Sequence, residues 1–403
     1  MAETGAKSKA LIDQENQFGA RNYNPLDVVC SKGEGVFLTD VDGNKYMDFL
    51  AAYSAVNQGH NHPRIAEAMI RQIRKLSLTS RAFRNDAFPP LLEKLCRLTG
   101  FDKALLMNSG AEAVETAIKA ARKWAYDVKG VEYPKAEIIV ADGNFHGRTT
   151  TIIGFSTDPA SYSGFGPFTP GFRIVPYGDV SAVEAAITPN TAAIFIEPIQ
   201  GEGGVVIPPQ GFLNALREIA DKNNCLLIFD EIQSGLGRTG KMFAFEHEGI
   251  RPDGVVIGKA LSGGFYPVSA FLSSREVMDV FTPGIHGSTY GGNPLACAVA
   301  SAALDVLVDE GLIKKSAELG AHLEQRLRGI KSDKIEEIRC RGLWAGIQLK
   351  ASAGKARPYC HQLKDRGLLC KDTHEQTIRL APPLVITKEQ IDWAADQIEA
   401  VLS

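Results

Sequence analysis

Residues 225–264 read CLLIFDEIQSGLGRTGKMFAFEHEGIRPDGVVIGKALSGG, and this stretch decides the fold. It contains two short apolar runs, LLIF and VVIG, whose lack of alternation is typical of strands covered on both faces. Asp230 ends the first run and Lys259 follows the second. Because the carboxyl ends of parallel strands share one edge, where open α/β folds bind ligands, we expect these two side chains to meet there.

Other short apolar runs without alternation extend this sheet. With the two above, the predicted strands are ALLM (104–107), EIIVA (137–141), AAIFIEP (192–198), CLLIFDE (225–231), VVIG (255–258) and VSAFLSS (268–274). Helices are predicted at 111–128 and 210–223, and strands that alternate with helices predict a mostly parallel sheet.

After this region the sequence no longer alternates short apolar runs with helices. Residues 294–328 predict a long helical stretch broken by Gly311, and 388–402 predict an amphipathic helix. We therefore expect a large α/β domain at 46–289 and a smaller domain formed by both chain ends, 1–45 and 290–403.

The composition limits the classes of function. The chain has 403 residues, 44% of them apolar, and its 44 Lys and Arg against 47 Asp and Glu leave a net charge of -3. This near balance argues against a nucleic-acid or anionic-membrane surface, which needs a basic excess. No apolar stretch approaches the roughly 18 residues of a membrane helix, and the first residues lack an apolar signal core. The seven cysteines are dispersed without a CxxC pair, so we expect reduced thiols and a cytoplasmic protein.

Two other motifs are rejected because of their context. GLGRTGK (235–241) meets G-x-G-x-x-G and most of a P-loop, but Met242 stands where a P-loop has Ser or Thr, and no strand runs straight into the glycines. We expect a glycine-rich surface turn instead. His60 and His62 in GHNHP suggest a metal pair, but catalytic zinc normally has three protein ligands and no third is evident nearby. We expect a loop held by histidine hydrogen bonds.

A predicted phosphate-binding turn indicates a ligand that Lys259 and Asp230 could bind together with it. Ser109, Gly110 and Ala111 follow ALLMN and open a helix, whose free N–H groups and positive dipole end suit a phosphate. Desolvation lowers the pKa of a lysine, and its neutral amine can attack a carbonyl to form a Schiff base. An aspartate on a neighbouring strand end can hold a pyridine nitrogen protonated. Together the three parts suit pyridoxal phosphate.

Eight segments, in order along nearly the whole chain, resemble one enzyme family. They are NQGHNHP, NSGAEAVETAIKAARKW, GNFHGRT, EPIQGEGGV, FDEIQSGLGRTG, GKALSGGFYP, HGSTYGGNPLA and IRLAPPL. This set resembles the class III aminotransferases of fold-type I. The resemblance implies a large domain with a mostly parallel seven-stranded sheet, a smaller α+β domain and pyridoxal 5'-phosphate as cofactor.

The resemblance also implies roles for single residues. Lys259 would hold the cofactor covalently and then transfer the proton, and Asp230 would pair with the pyridine nitrogen. Gln233 would bond the ring hydroxyl and Phe145 would stack on the ring. The phosphate would be bound by Ser109, Gly110 and Ala111, joined by Ser288 and Thr289 of the partner subunit. The protein would then be a homodimer with shared sites. His146 is given no role.

Several positions look like those of the ornithine-using members of the class. They are Tyr23 in NYNPL, Tyr53 in AAYSAVNQGH, and the set Arg148, Glu202 and Arg379. Members that act on acetylornithine or 4-aminobutyrate typically carry an aliphatic residue in place of Tyr53. A tyrosine hydroxyl can bond a charged group of the substrate, and a site built for such a bond rejects analogues lacking it. Arg148 presents a planar fork suited to a carboxylate. A core role for Tyr53 and a structural salt bridge for Arg148 stay open.

We therefore expect an enzyme that transfers the δ-amino group of L-ornithine to 2-oxoglutarate. The products are glutamate 5-semialdehyde, which cyclises to pyrroline-5-carboxylate, and L-glutamate. Alternatives in the same class act on acetylornithine, 4-aminobutyrate or lysine. Alternatives of other classes are a pyridoxal phosphate aminomutase or racemase, and a non-catalytic binding protein.

Overall fold

A computed structural model describes residues 5–403. In these residues the strands β1 to β15 are Cys30–Glu34, Phe37–Asp40, Lys45–Asp48, Lys103–Met107, Glu137–Ala141, Phe172–Val175, Thr191–Ile196, Leu226–Asp230, Gly254–Ile257, Ser269–Ser273, Ile335–Cys340, Ala345–Leu349, Leu368–Leu369, Lys371–Thr373 and Thr377–Leu380. The helices α1 to α14 are Ala6–Phe18, Ala51–Ser54, Pro63–Lys75, Phe88–Thr99, Gly110–Trp124, Thr150–Ile153, Pro159–Tyr162, Val180–Ala186, Phe212–Lys222, Arg275–Met278, Pro294–Asp309, Leu312–Gly329, Ala356–Asp365 and Lys388–Leu402.

The central sheet has seven strands in the order β4-β10-β9-β8-β7-β5-β6. The neighbours from β9 to β6 are parallel, whereas β10 is antiparallel to both β4 and β9. This confirms the expected mostly parallel sheet, and all six predicted runs are strands in it. The seventh strand, β6, was not predicted because it lies at the edge of the sheet, where Arg173 and Ile174 are exposed.

Apolar side chains cover the sheet on both faces. Along β5, Ile138 and Val140 belong to the same buried cluster as the apolar side of α5, whereas Ile139 and Ala141 belong to the cluster that also contains residues of α9 and α11. Side chains of a strand alternate between faces, so a strand buried on both sides must be apolar throughout. This is why the sequence shows short unbroken apolar runs.

The two chain ends build two smaller sheets, with strand orders β1-β2-β3-β13 and β11-β12-β15-β14. In the first of them β3, from the N-terminal part, pairs in parallel with β13 from the C-terminal part. This pairing supports a second domain formed by both chain ends. We propose 46–289 as the bounds of the large domain, and residue 46 lies inside β3.

The predicted C-terminal helices are confirmed. Gly311, with φ +64°, separates α11 from α12, and α14 covers the amphipathic stretch at 388–402. Among residues 5–403, the helices are all too short or too polar to span a lipid bilayer.

The helix α2 is left-handed. Its φ values are +47° at Ala51, +46° at Ala52, +59° at Tyr53 and +73° at Ser54. L-residues avoid this region because Cβ approaches the following carbonyl oxygen, at a cost of roughly 1–2 kcal/mol per residue. The neighbouring contacts must therefore hold this turn in place.

Candidate active site

The carboxyl edge of the central sheet carries the predicted catalytic pair. Asp230 ends β8, and Lys259 opens a short 3₁₀ turn directly after β9 and Gly258. Both line a cavity of about 190 Å³. The other predicted residues that line the same cavity are Gly110, Ala111, Phe145 and Gln233. The structure thus brings together most of the residues predicted to bind the cofactor.

The environment of Lys259 favours its neutral form. Burial lowers the pKa of the Lys259 amine to about 8, although the charges of Glu202 and Asp230 oppose the shift. An amine with such a pKa exists partly in its nucleophilic form near neutral pH, unlike an ordinary surface lysine.

Asp230 is held by His146, a residue to which the sequence assigned no role. The Nδ1 atom of His146 lies 2.8 Å from Oδ2 of Asp230, and the N–H of Ile232 donates to Oδ1 at 3.0 Å. Burial alone would lower the pKa of His146, but the hydrogen bond and charge of Asp230 outweigh it and raise the pKa. The two hydrogen bonds therefore fix the orientation of the Asp230 carboxylate. His146 and Asp230 are far apart in sequence, so no local spacing indicated the pair.

Glu197 was missed as well, although the sequence carried a signal for it. It comes directly after β7, at the same edge of the sheet as Asp230. A charged residue at the end of an apolar run is the same signal that identified Asp230. The N–H of Phe145 donates to its Oε2 at 3.0 Å. Burial raises the pKa of Glu197 to about 7; the charge of His146 opposes this shift, and the charge of Asp230 adds to it. Glu197 thus orients the backbone of the predicted stacking residue.

The predicted phosphate turn is a capped helix start. Ser109 caps α5 by accepting the N–H of Glu112 at 3.2 Å, and the Glu112 carboxylate accepts the N–H of Ser109 at 2.8 Å. The N–H groups of Gly110 and Ala111 lie in the first helical turn, where no intrahelical acceptor exists. A Cβ on Gly110 would lie 2.9 Å from Cδ1 of Ile232, so a larger residue here would push the Ile232 side chain aside. The turn suits an anion.

Ser288 contacts the residue before this turn. Within the chain its Oγ accepts a hydrogen bond from Nδ2 of Asn108 at 2.9 Å, and the following Thr289 is exposed. The roles inferred for Ser288 and Thr289 of the partner subunit stay predictions.

Glu202, Arg379 and Gln233 form a buried cluster beside the cavity. Nη1 of Arg379 lies 2.7 Å from Oε1 of Glu202 and 3.3 Å from Oε1 of Gln233. Burial would raise the pKa of Glu202, but the nearby cations, first Arg379 and then Lys259, lower it. Arg379 is 1% exposed, and its Nε and Nη2 atoms have no hydrogen-bond partner among the described residues. These two donors are therefore buried and unpaired among the described residues.

Tyr53 lies among three basic side chains. Its ring centroid is 4.9 Å from Cζ of Arg379, 5.9 Å from Nζ of Lys259 and 5.7 Å from Nζ of Lys371. Lys371 was not predicted, and its position opposite Arg379 in the β14–β15 ladder is visible only in the structure.

The remaining predicted substrate residues are more distant or more exposed. Arg148 is exposed, with Cζ 5.6 Å from the ring centroid of Phe145. Tyr23 is 76% exposed and lines a different groove with Pro25 and Leu26. The structure does not bring Tyr23 to Lys259, and its substrate role stays a prediction.

One rejected motif is placed differently from the expectation. GLGRTGK was expected to be a surface turn, but Arg238 is fully buried and donates to the carbonyls of Leu343 and Pro382. The turn is an anchor in the interior, which sequence composition could not indicate because arginine is mostly exposed in folded proteins.

The expectation for GHNHP is confirmed. His60 contacts Asp48 at 2.8 Å and His62 contacts Glu310 at 3.1 Å, so both histidines hold the loop through carboxylates.

Comparisons with known proteins agree with this geometry. The family model for aminotransferase class-III matches residues 18–402. The ornithine aminotransferase of Brevibacillus brevis is 57% identical over 397 residues, which cover 98% of this chain and 99% of that protein. The crystal structure of ornithine aminotransferase from Toxoplasma gondii ME49 superimposes with a TM-score of 0.96 at 45% identity, covering 98% of this chain and 94% of that one. The acetylornithine aminotransferase of Elizabethkingia anophelis reaches a TM-score of 0.90 at 52% identity, with 98% of both chains covered.

Proposed function

The chain belongs to the class III aminotransferases, and from that premise we propose that it transfers the δ-amino group of L-ornithine to 2-oxoglutarate. The products are glutamate 5-semialdehyde, which cyclises to pyrroline-5-carboxylate, and L-glutamate. One observation carries the proposal: Lys259 and Asp230 line one cavity, and the Glu202–Arg379 pair lies beside it, next to the ring of Tyr53.

The residues of the cavity fit pyridoxal phosphate. The capped helix start at Gly110 offers backbone donors to the phosphate, and the carboxylate of Asp230 lies ready for a pyridine N–H. We propose that Gln233 bonds the ring hydroxyl and that Phe145 covers one ring face. When bound, the cofactor supplies a carbonyl that exchanges with amines and a ring that accepts the electrons of a breaking bond.

Lys259 and Asp230 then have separate tasks. The Lys259 amine, with its lowered pKa, can take a proton from the substrate carbon and return it at a different atom. Asp230, oriented by His146, would hold the proton on the pyridine nitrogen of the bound cofactor. The surrounding apolar strands exclude water from both groups.

The substrate residues must serve two amino acids that react in opposite senses. Ornithine offers its δ-amine, so its α-carboxylate lies at the far end of the site, where we propose that Arg148 and Tyr23 bind it. Glutamate reacts at its α-amine, so its α-carboxylate lies near the ring and needs Arg379. The pairing with Glu202 masks that cation while ornithine reacts.

We also propose a cytoplasmic homodimer. In the segment that contains Ser288 and Thr289, the next residue, Tyr290, is 50% exposed. An exposed segment suits residues that reach the phosphate site of a second subunit. The seven cysteines are free, in accordance with a reducing compartment. Sedimentation analysis of the holoenzyme tests the dimer.

A screen of amino donors tests the proposed function. The holoenzyme is assayed with 2-oxoglutarate and ornithine, N-acetylornithine, 4-aminobutyrate or lysine, and ornithine should give the highest kcat/KM. N-acetylornithine is the main rival because an acetylornithine aminotransferase shares 52% identity with this chain. Turnover without 2-oxoglutarate would indicate a mutase or racemase, and a purified protein that takes up no cofactor would indicate a binding protein.

A further inference from the structure

The backbone that carries Tyr53 is strained. All four residues of α2, Ala51–Ser54, have φ between +46° and +73°, and none of them is glycine. Strained backbone of this kind persists only where the surrounding contacts fix it, and it is concentrated at functional positions. The contacts that fix α2 therefore indicate which residues determine the place of Tyr53.

Asp48, the last residue of β3, holds the start of α2. Its Oδ1 accepts the N–H groups of Leu50 at 2.8 Å and Ala51 at 3.0 Å. Its Oδ2 lies 2.8 Å from Nε2 of His60. Asp48 is 3% exposed, and His60 is the side-chain partner of this buried carboxyl group.

His60 and Gln58 connect α2 to other parts of the molecule. The backbone of His60 pairs with Gly35 in both directions, at 2.8 and 3.1 Å, which ties it to the β1–β2 turn. Nε2 of Gln58 donates to the carbonyl of Ala260 at 3.0 Å, in the residue after Lys259. The segment that follows Tyr53 is thus attached on one side to the small sheet and on the other to the lysine turn.

We propose that Asp48 and His60 are positioning residues that set the amino-donor preference through Tyr53. By holding α2 in its left-handed form, the pair keeps the Tyr53 ring 4.9 Å from Arg379 and 5.9 Å from Lys259. Neither residue lines the cavity around Lys259. The inference rests on the proposed function, because it assumes that Tyr53 selects ornithine.

The test breaks the Asp48–His60 pair and compares the effect with that of breaking a matched pair elsewhere in the chain. His322 lies 2.7 Å from Asp392, and its side chain has the same exposed fraction as that of His60, 17%. In the holoenzyme, His60→Ala should lower kcat/KM for ornithine by about 10- to 100-fold, as a displaced positioning group does. The half-reaction with 4-aminobutyrate should change little. His322→Ala should lower Tm without changing the ratio of the two donors.

Two further variants separate positioning from general stability. In a protein that already carries Tyr53→Ala, adding His60→Ala should not change the ratio of ornithine activity to 4-aminobutyrate activity any further. Ala52→Gly should restore part of the ornithine activity of His60→Ala, because glycine adopts positive φ without support. Hydrogen exchange of residues 49–56 should be faster in His60→Ala than in His322→Ala.

The outcomes distinguish this inference from the proposed function. If the wild-type enzyme does not use ornithine, the proposed function is wrong, and hydrogen exchange still decides whether the pair holds α2. If ornithine is used but His60→Ala and His322→Ala share one donor ratio, the positioning role is wrong. An added effect of His60→Ala in the Tyr53→Ala background would also overturn it.

Discussion

The Nη1 atom of Arg379 lies 2.7 Å from Oε1 of Glu202, and both side chains are largely removed from solvent. One donor of the guanidinium is thereby occupied, while Nε and Nη2 have no partner among the described residues. A carboxylate that reached these donors would compete with Glu202 for the same cation. The pair can therefore act as a gate or as a static support, and the two roles predict different kinetics.

The gate predicts opposite effects on the two half-reactions. Glu202→Ala leaves Arg379 unmasked, so the reaction with glutamate should speed up while ornithine loses some of its preference for reacting at the δ-amine. Stopped-flow spectra of the pyridoxal form with each substrate, together with product analysis, measure both. Glu137→Ala, which breaks the exposed ion pair with Arg173, is the control and should change neither. Equal slowing of both half-reactions with intact regiospecificity would show a static pair.

Lys259 should be the residue that binds the cofactor covalently. Borohydride reduction of the holoenzyme followed by peptide mapping should find the pyridoxyl label on Lys259. Lys259→Ala should fold with an unchanged far-ultraviolet spectrum but lose the label and nearly all turnover. Lys371, the other lysine near Tyr53, serves as the control, and Lys371→Ala should still carry the label. A label on Lys371 in the wild-type enzyme would refute the assignment.

The lowered pKa of Lys259 predicts the pH dependence of cofactor capture. In the cofactor-free protein the amine is mostly protonated below about pH 8 and mostly neutral above it. The rate of covalent capture should therefore rise with pH and level off above about pH 8. Free Nα-acetyllysine, with its ordinary pKa near 10.4, should continue to gain rate beyond that point. Because Glu202 opposes the shift, Glu202→Ala should move the midpoint to lower pH. A protein curve that follows the free amine would contradict the prediction.

The hydroxyl of Tyr53 should favour ornithine over shorter donors. Tyr53→Phe keeps the ring and removes the hydroxyl, and a lost bond to a charged group costs about 1.5–3 kcal/mol, or roughly 10- to 150-fold in kcat/KM. The ratio of kcat/KM for ornithine to that for 4-aminobutyrate measures the effect. An aliphatic β-branched replacement is a poorer test, because Tyr53 has φ +59° and such residues strongly resist that conformation. A parallel loss with all donors would make Tyr53 a structural residue.

Much of the fold was predictable because it follows from burial. The six apolar runs and the charged residues that end them placed Asp230 and Lys259 on one edge of the sheet. The antiparallel direction of β10 was not predictable, since a strand buried on both faces has the same composition in either direction. The edge strand β6 was missed because exposed residues interrupt its apolar pattern.

The site was less predictable where it depends on contacts distant in sequence. His146 and Asp230 are paired through the fold, and Arg238 became an interior anchor because the carbonyls of Leu343 and Pro382 meet it there. The left-handed form of Ala51–Ser54 had no signal at all, because alanine, tyrosine and serine do not favour it. It exists because Asp48 and its partners stabilise it from outside the segment.

The antiparallel direction of β10 separates the lysine that is proposed to carry out the chemistry from the residues that are proposed to select the substrate. Because β10 returns beside β9, residues 258–268 leave and re-enter the central sheet at the same edge, and Lys259 is held in a loop closed at both ends. Arg379, in contrast, lies on β15 of one peripheral sheet, and Tyr53 lies in α2, which follows β3 of the other peripheral sheet. Mutations in those sheets can reshape the pocket while the lysine keeps its place. Directed evolution toward new amino donors should therefore leave 258–268 untouched and draw its diversity from the segments around Tyr53 and Arg379.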